Sequence, residues 1–237
     1  MSAFLIFFML NSLLFFIMYK FFSETKINDN FLLDEETQKH IRVIRLKNEL
    51  FLINYQGQFY KCQYVFPNQA KIIEKLNINN EYDYEIIVAI PLIKQSHFEI
   101  ALQKATELGA KKIIPFISEF CDKANFNVIT KKERIQKILK EAAQQSFRNF
   151  VPELLNTMTF EQLLDYPAAN KIMAYENEKD EKMLTIANDV MFIVGPEGGL
   201  SKKEVSQAIA ANVKIVSLTK TILRAETALI YMLSKLK

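Results

Sequence analysis

From residue 86 onward the chain repeats one unit, a short, mostly apolar run followed by a segment with helical spacing, and this alternation restricts the fold more than any other feature. The runs at 86–93, 112–117, 171–175, 191–194 and 213–218 are strand-length. Between the first two, Phe98, Ala101, Leu102, Ala105 and Leu108 recur at helical spacing, and Gly109 supplies a stop, so 96–108 reads as a helix. A second helix follows Thr130 and Glu133, read as a capping box, with Ile135, Ile138, Leu139, Ala142 and Ala143 on one face. Apolar strands joined by helical crossovers imply an α/β domain with a largely parallel sheet, since parallel neighbours need a long connection. A dinucleotide-binding fold is disfavoured: no G-x-G-x-x-G follows the first strand, and the glycines come late.

Three of the chain's five glycines fall in Gly195-Pro196-Glu197-Gly198-Gly199, directly after the run that ends at Val194. Gly198 and Gly199 are expected to reach positive φ, and Pro196 fixes its own φ and lacks an N–H. Main-chain amides near the next helix would then face a ligand. Ser201 and Glu204 form a capping box that starts a helix at Lys202. A second junction, Ile222-Leu223-Arg224-Ala225-Glu226-Thr227-Ala228, follows the run at 213–218 and opens the final helix. That helix carries Leu229, Ile230, Met232, Leu233 and Leu236, so it is buried on most faces, with Arg224 and Glu226 at its mouth. The plain alternatives are a connecting turn that binds nothing and a solvated helix start.

Residues 18–80 read instead as short β segments at 31–33, 49–55, 58–65 and 70–76, with a hairpin turn at Asn54-Tyr55-Gln56-Gly57 and a polar bridge over 81–85. The stretch 1–17 is an apolar extension with no charge from Ala3 to Met18. It is short for a membrane span and lacks the leading positive charge of a signal peptide. Met18 is taken as the true start, with a membrane anchor as the alternative. A net charge of +3 permits an anionic partner without requiring one. Cys62 and Cys121 are far apart and His40 and His97 are the only imidazoles, so neither zinc nor any other metal is expected.

Four segments stand in the order and approximate spacing of one family: Gln103-Lys104-Ala105-Thr106-Glu107-Leu108-Gly109; Gln145 with Arg148-Asn149 and Val151-Pro152-Glu153; Val194 to Leu200; and Ile222 to Ala228. The chain resembles the RsmE family of small-subunit ribosomal RNA uridine N3-methyltransferases, of the SPOUT superfamily, essentially from Met18 onward. His40-Ile41-Arg42-Val43-Ile44-Arg45-Leu46-Lys47 is similar to that family's N-terminal basic segment. The resemblance implies a SPOUT-type, trefoil-knotted, parallel-sheet methyltransferase domain over 81–237, preceded by a small PUA-like β-barrel over 18–80. It also implies a cytoplasmic homodimer acting on 16S rRNA of the small ribosomal subunit, with S-adenosyl-L-methionine bound in the knot.

On this reading the cofactor contacts are Val194, Gly195, Pro196, Glu197, Gly198 and Gly199 from the first loop, and Leu218, Thr219, Ile222, Leu223, Thr227 and Ala228 from the second. Arg224 is assigned to phosphate or to charge developing on the uracil oxygens, and Glu226 to orienting Arg224 or capping the helix. No general base is named, because no histidine lies near these motifs in the sequence and a water could serve. Arg42, Arg45, Lys47, Arg148 and Asn149 are the candidate RNA contacts. The chain departs from the family pattern at Thr219 and Phe147, where glycine is usual, and at Phe120 and Phe150, often arginine. Competing readings are a knotted enzyme with another target, such as a ribose 2′-hydroxyl, and a non-catalytic RNA-binding assembly protein.

Overall fold

The computed structural model describes residues 18–178 and 185–237, so the apolar run before Met18 lies outside the described residues. Two compact units meet between Asn80 and Glu81. The first contains β1 (Lys20–Phe22), β2 (Thr25–Ile27), β3 (Asn30–Leu32), α1 (Glu35–Val43), β4 (Leu50–Tyr55), β5 (Gln58–Val65) and β6 (Gln69–Leu76). Its sheet runs β1-β4-β5-β6-β3-β2, antiparallel except for the parallel pair β1 and β4. Phe21, Phe31, Phe51, Ile53, Cys62 and Ile41 share its core. The β4–β5 hairpin turns through Gln56 at φ 52° and Gly57 at φ 79°, the pair of positive values a two-residue turn demands.

The basic segment after His40 is not strand, as a purely β reading of this unit would have it. Asp34 accepts a hydrogen bond from the Thr37 N–H at 2.7 Å and caps α1, which carries Arg42. Arg45 follows the helix at φ 55°, and Arg42, Arg45 and Lys47 are all exposed.

The second unit contains β7 (Ile86–Pro91), α2 (Gln95–Glu107), β8 (Lys112–Ile117), a 3-10 segment (Lys123–Thr130), α3 (Lys132–Gln145), β9 (Glu153–Leu154), β10 (Met158–Thr159), α4 (Phe160–Asp165), β11 (Lys171–Ala174), β12 (Val190–Ile193), α5 (Lys202–Ala210), β13 (Lys214–Val216) and α6 (Ala225–Leu233). The strand order is β10-β8-β7-β12-β11-β13, with β9 beside β8, and every pairing is parallel. Ile86, Val88 and Ile90 of β7 join one core while Ile87 and Ala89 join another, so both faces of the sheet are covered. That double burial is why the strands read as unbroken apolar runs.

Two sequence expectations are overturned in this unit. Thr130 does not cap α3: its hydroxyl donates to the Asn127 carbonyl at 2.7 Å, and the helix starts after Lys131 with no side-chain cap. Arg148 and Asn149, expected to face RNA, are each only 3% exposed. The Arg148 guanidinium donates to both Glu81 carboxylate oxygens, at 2.6 to 3.0 Å, and to the carbonyls of Thr106 and Ala110. The Asn149 and Phe150 N–H groups also donate to Glu81. This fork ties the C-terminal end of α2 to the turn after α3 and keeps the Arg148 side chain buried, 4% exposed, away from any phosphate at the surface. Phe147, where the family has glycine, sits in the same turn at φ 60°, the left-handed conformation that explains the usual residue.

Burial pushes the Glu81 carboxyl upward, but Arg148 and the two N–H donors outweigh it and hold the group below the usual carboxylate range. A carboxylate depressed on folding adds stability above its unfolded pKa and loses it as pH falls through the folded value. The wild type should therefore lose urea stability as pH falls below 5, and Glu81→Gln should flatten that fall. At neutral pH Arg148→Ala should cost about 3–5 kcal/mol, because it strands a buried charge.

Candidate functional site

Because the sheet is parallel throughout, the loops after its strands that carry the named motifs leave from one edge. The connection leaving β7 runs toward β8 on one side, while that leaving β12 passes over β11 to β13 on the other. Adjacent strands whose connections diverge open a crevice at their carboxyl ends, the usual binding position in open α/β sheets. A cavity of about 570 Å³ lies there, walled by the loops after β11, β12 and β13, by the start of α6 and by His97 of α2.

The glycine turn forms one wall. Gly199 closes it by donating its N–H to the Pro196 carbonyl at 2.9 Å, with φ at 76°. Gly198 is not at positive φ, contrary to expectation; it is needed because a Cβ there would meet the Phe120 Cβ at 2.9 Å and its carbonyl oxygen at 3.0 Å. A Cβ on Gly199 would stand 3.0 Å from a carboxylate oxygen of Glu176. The Ser201–Glu204 capping box forms as expected and α5 begins at Lys202. Glu204, 4% exposed, does more than cap: one oxygen accepts from the Ser201 N–H and the other from the Glu119 N–H, both at 2.9 Å. The loops after β12 and β8 are thereby joined through one carboxylate.

Gly195, Pro196, Glu197, Gly198 and Gly199 all line the cavity, as do Leu218, Thr219, Ile222, Leu223, Arg224 and Ala228. Val194 does not: it is 1% exposed inside the core beside α6. Thr227 is exposed on α6 and is not part of the wall. The Thr219 hydroxyl donates to the Thr221 carbonyl at 2.6 Å, and its backbone is not at positive φ. Arg224 is exposed at the N-cap of α6 and makes no ion pair among the described residues. Glu226 neither orients Arg224 nor caps the helix; it is 8% exposed, and its Oε2 has no hydrogen-bond partner among the described residues.

Sequence reasoning missed His97, Tyr175 and Glu176, each of which lines the cavity. The signal was available: all three lie within six residues beyond a strand's carboxyl end, where a parallel sheet places its binding loops. His97 enters because the Glu197 carboxylate crosses the crevice and accepts from the Lys94 N–H at 3.1 Å, at the electropositive start of α2. The same oxygen lies 3.6 Å from His97 Nδ1.

The family model for an RNA methyltransferase domain matches residues 80–237. The ribosomal RNA small subunit methyltransferase E of Mesomycoplasma hyopneumoniae is 36% identical over 92% of this chain and 98% of its own length. The chain belongs to the ribosomal RNA small subunit methyltransferase E family. A member of that family from Bacillus subtilis is 32% identical over 84% of this chain and 86% of its own. The crystal structure of the Neisseria gonorrhoeae member, bound to S-adenosyl methionine, superposes with a TM-score of 0.82 at 27% identity, covering 92% of this chain and 95% of that one.

The Glu204 bridge has a measurable worth. Glu204→Gln places an amide NH₂ against one of two backbone N–H groups and should lower stability by about 1–3 kcal/mol, read as a drop in the urea midpoint with an unchanged m value.

Proposed function

We propose that this protein transfers a methyl group from S-adenosylmethionine to N3 of a uridine in 16S rRNA of the small ribosomal subunit. The observation that carries the reading is the crevice at the sheet's carboxyl edge, where a glycine turn backed by Phe120 and Glu204 leaves a main-chain wall beside an uncommitted arginine. Its volume of about 570 Å³ suits a nucleoside-sized ligand. Ala174, Leu218, Leu223 and Ala228 offer apolar wall for a purine, while Glu176 and Glu197 offer negative charge to a cationic ligand. When bound, S-adenosylmethionine supplies an electrophilic methyl carbon. The protein's part is then to align the uracil nitrogen with it and to accommodate the charge that moves through the ring. Arg224, exposed and without an ion pair among the described residues, is placed for a flanking phosphate or the uracil oxygens.

Arg42, Arg45 and Lys47, all exposed, remain the candidate RNA contacts of the first unit, whose six-stranded sheet with one helix is read as a PUA-like barrel. The deep knot, the cytoplasmic site of action and the homodimer belong to the same reading. Ile222, 85% exposed at the cavity mouth, supports the dimer, since a partner would cover it. Among the described residues no helix is long and apolar enough to cross a membrane.

Calorimetric titration with S-adenosylmethionine tests the cofactor. The wild type should bind, and Gly199→Val should lose binding while remaining folded, because it forces a β-branched residue to positive φ at a cost of about 1–3 kcal/mol and meets Glu176. Arg224→Ala should keep cofactor affinity and lose methylation of small-subunit RNA, with incomplete rescue by lysine, which lacks the fork of donors. Nucleoside mass spectrometry showing ribose methylation in place of 3-methyluridine would replace the proposed target.

A further inference from the structure

We infer that His97, held by Glu197, is the group that accepts the N3 proton of the substrate uridine; the inference rests on the reaction proposed above. An imide nitrogen that still carries its proton has no lone pair free of the ring for an incoming methyl group. Some base must take that proton as the N3–C bond forms. The two carboxylates that line the cavity and its arginine are poor candidates: Glu197 is engaged by the Lys94 N–H, Glu176 lies over Gly199, and Arg224 is already protonated. His97 is the imidazole in the wall.

Its setting is that of an oriented base. Nδ1 is sealed from solvent and lacks a hydrogen-bond partner among the described residues, although the side chain as a whole is 21% exposed. The nitrogen left for the cavity is therefore Nε2. A buried polar atom with no partner calls for an explanation, and here a carboxylate oxygen stands 3.6 Å away, just beyond hydrogen-bond length. Such contacts are often long without substrate and tighten when it binds. A carboxylate on Nδ1–H fixes the tautomer that leaves Nε2 as acceptor and stabilises the imidazolium once formed.

The step balances within these groups. The N3–H bond breaks with its proton passing to Nε2, the N3 electron pair forms the new bond to the methyl carbon, and the carbon–sulfur bond breaks, leaving S-adenosylhomocysteine neutral at sulfur. Other charged groups do not compete for His97. Glu99 on the same helix is paired with Arg134 of α3, Lys131 donates to Gln95, and Glu226 comes from α6. Tyr175, Glu176 and Arg224 share the cavity wall, but Glu197 alone among the described residues lies within ion-pair range.

The test compares wild type, His97→Gln and Glu197→Gln by S-adenosylmethionine calorimetry and by methylation of undermethylated small subunits across pH 6–10. His97→Gln should bind S-adenosylmethionine within about twofold of wild type and lose on the order of 10²–10⁴ in kcat at pH 7. The loss should shrink as pH rises, because the uracil then ionises without help. Glu197→Gln should also lower kcat at pH 7, by less than His97→Gln does, because the imidazole stays in place without the carboxylate that orients it. Unchanged kcat in His97→Gln, a loss equal at every pH, or a loss matched by weakened cofactor binding would each overturn the assignment. A wild type that binds S-adenosylmethionine but yields no 3-methyluridine overturns the proposed reaction instead.

Discussion

The parallel pairing of β8, β7, β12, β11 and β13 is the constraint on which the site depends. Parallel neighbours send the loops at their carboxyl ends to one edge, so segments distant in sequence converge with no need for a long binding loop of their own. Chain direction around β7 and β12 then decides where on that edge the crevice opens. Apart from the starts of α2 and α6, where His97 and Ala228 line the wall, substitutions in the helices act on the cavity through these strands, whereas substitutions in the four loops that follow β7, β11, β12 and β13 act on it directly.

Three carboxylates, those of Glu81 and Glu204 sheltered and that of Glu197 exposed, hold the loops in register, and each accepts from main-chain donors. Glu204 accepts from two loops, Glu197 joins the glycine turn to the start of α2, and Glu81 gathers Arg148 with two backbone N–H groups. Charge-assisted bonds of this kind are stronger than neutral ones and directional enough to set a loop's position. The wall of the cavity is thus rigid where the glycines thin it. Glycine gives close approach, and the carboxylates remove the freedom that glycine would otherwise bring.

Much of this was legible in residues whose behaviour is local. The apolar runs gave strands within a few residues of their observed limits, because both sheet faces are buried. The Ser201–Glu204 box gave the start of α5, because capping is settled within one turn. What failed depended on tertiary partners. Thr130 looked like a cap until Asn127 took its hydroxyl, and Arg148 looked like an RNA contact until Glu81 took its guanidinium. Glu226 was read beside Arg224 from their spacing, yet a residue two positions on along a helix points elsewhere. His97 lies a hundred residues from the glycine turn, so only the sheet order could bring it into the cavity.

The same sheet order bears on how the chain reaches its native state. Residues 86–89 of β7 pair with 190–193 of β12, and β11 is clasped between β12 and β13. Pairings of such long sequence separation must close large loops before they return any stabilisation, which slows folding. The crevice has no counterpart in a chain synthesised only as far as β11, since β12, β13 and α6 follow the rest of the sheet. Ligand binding therefore reports complete assembly of this unit, and a bound ligand would add its affinity to the native state alone.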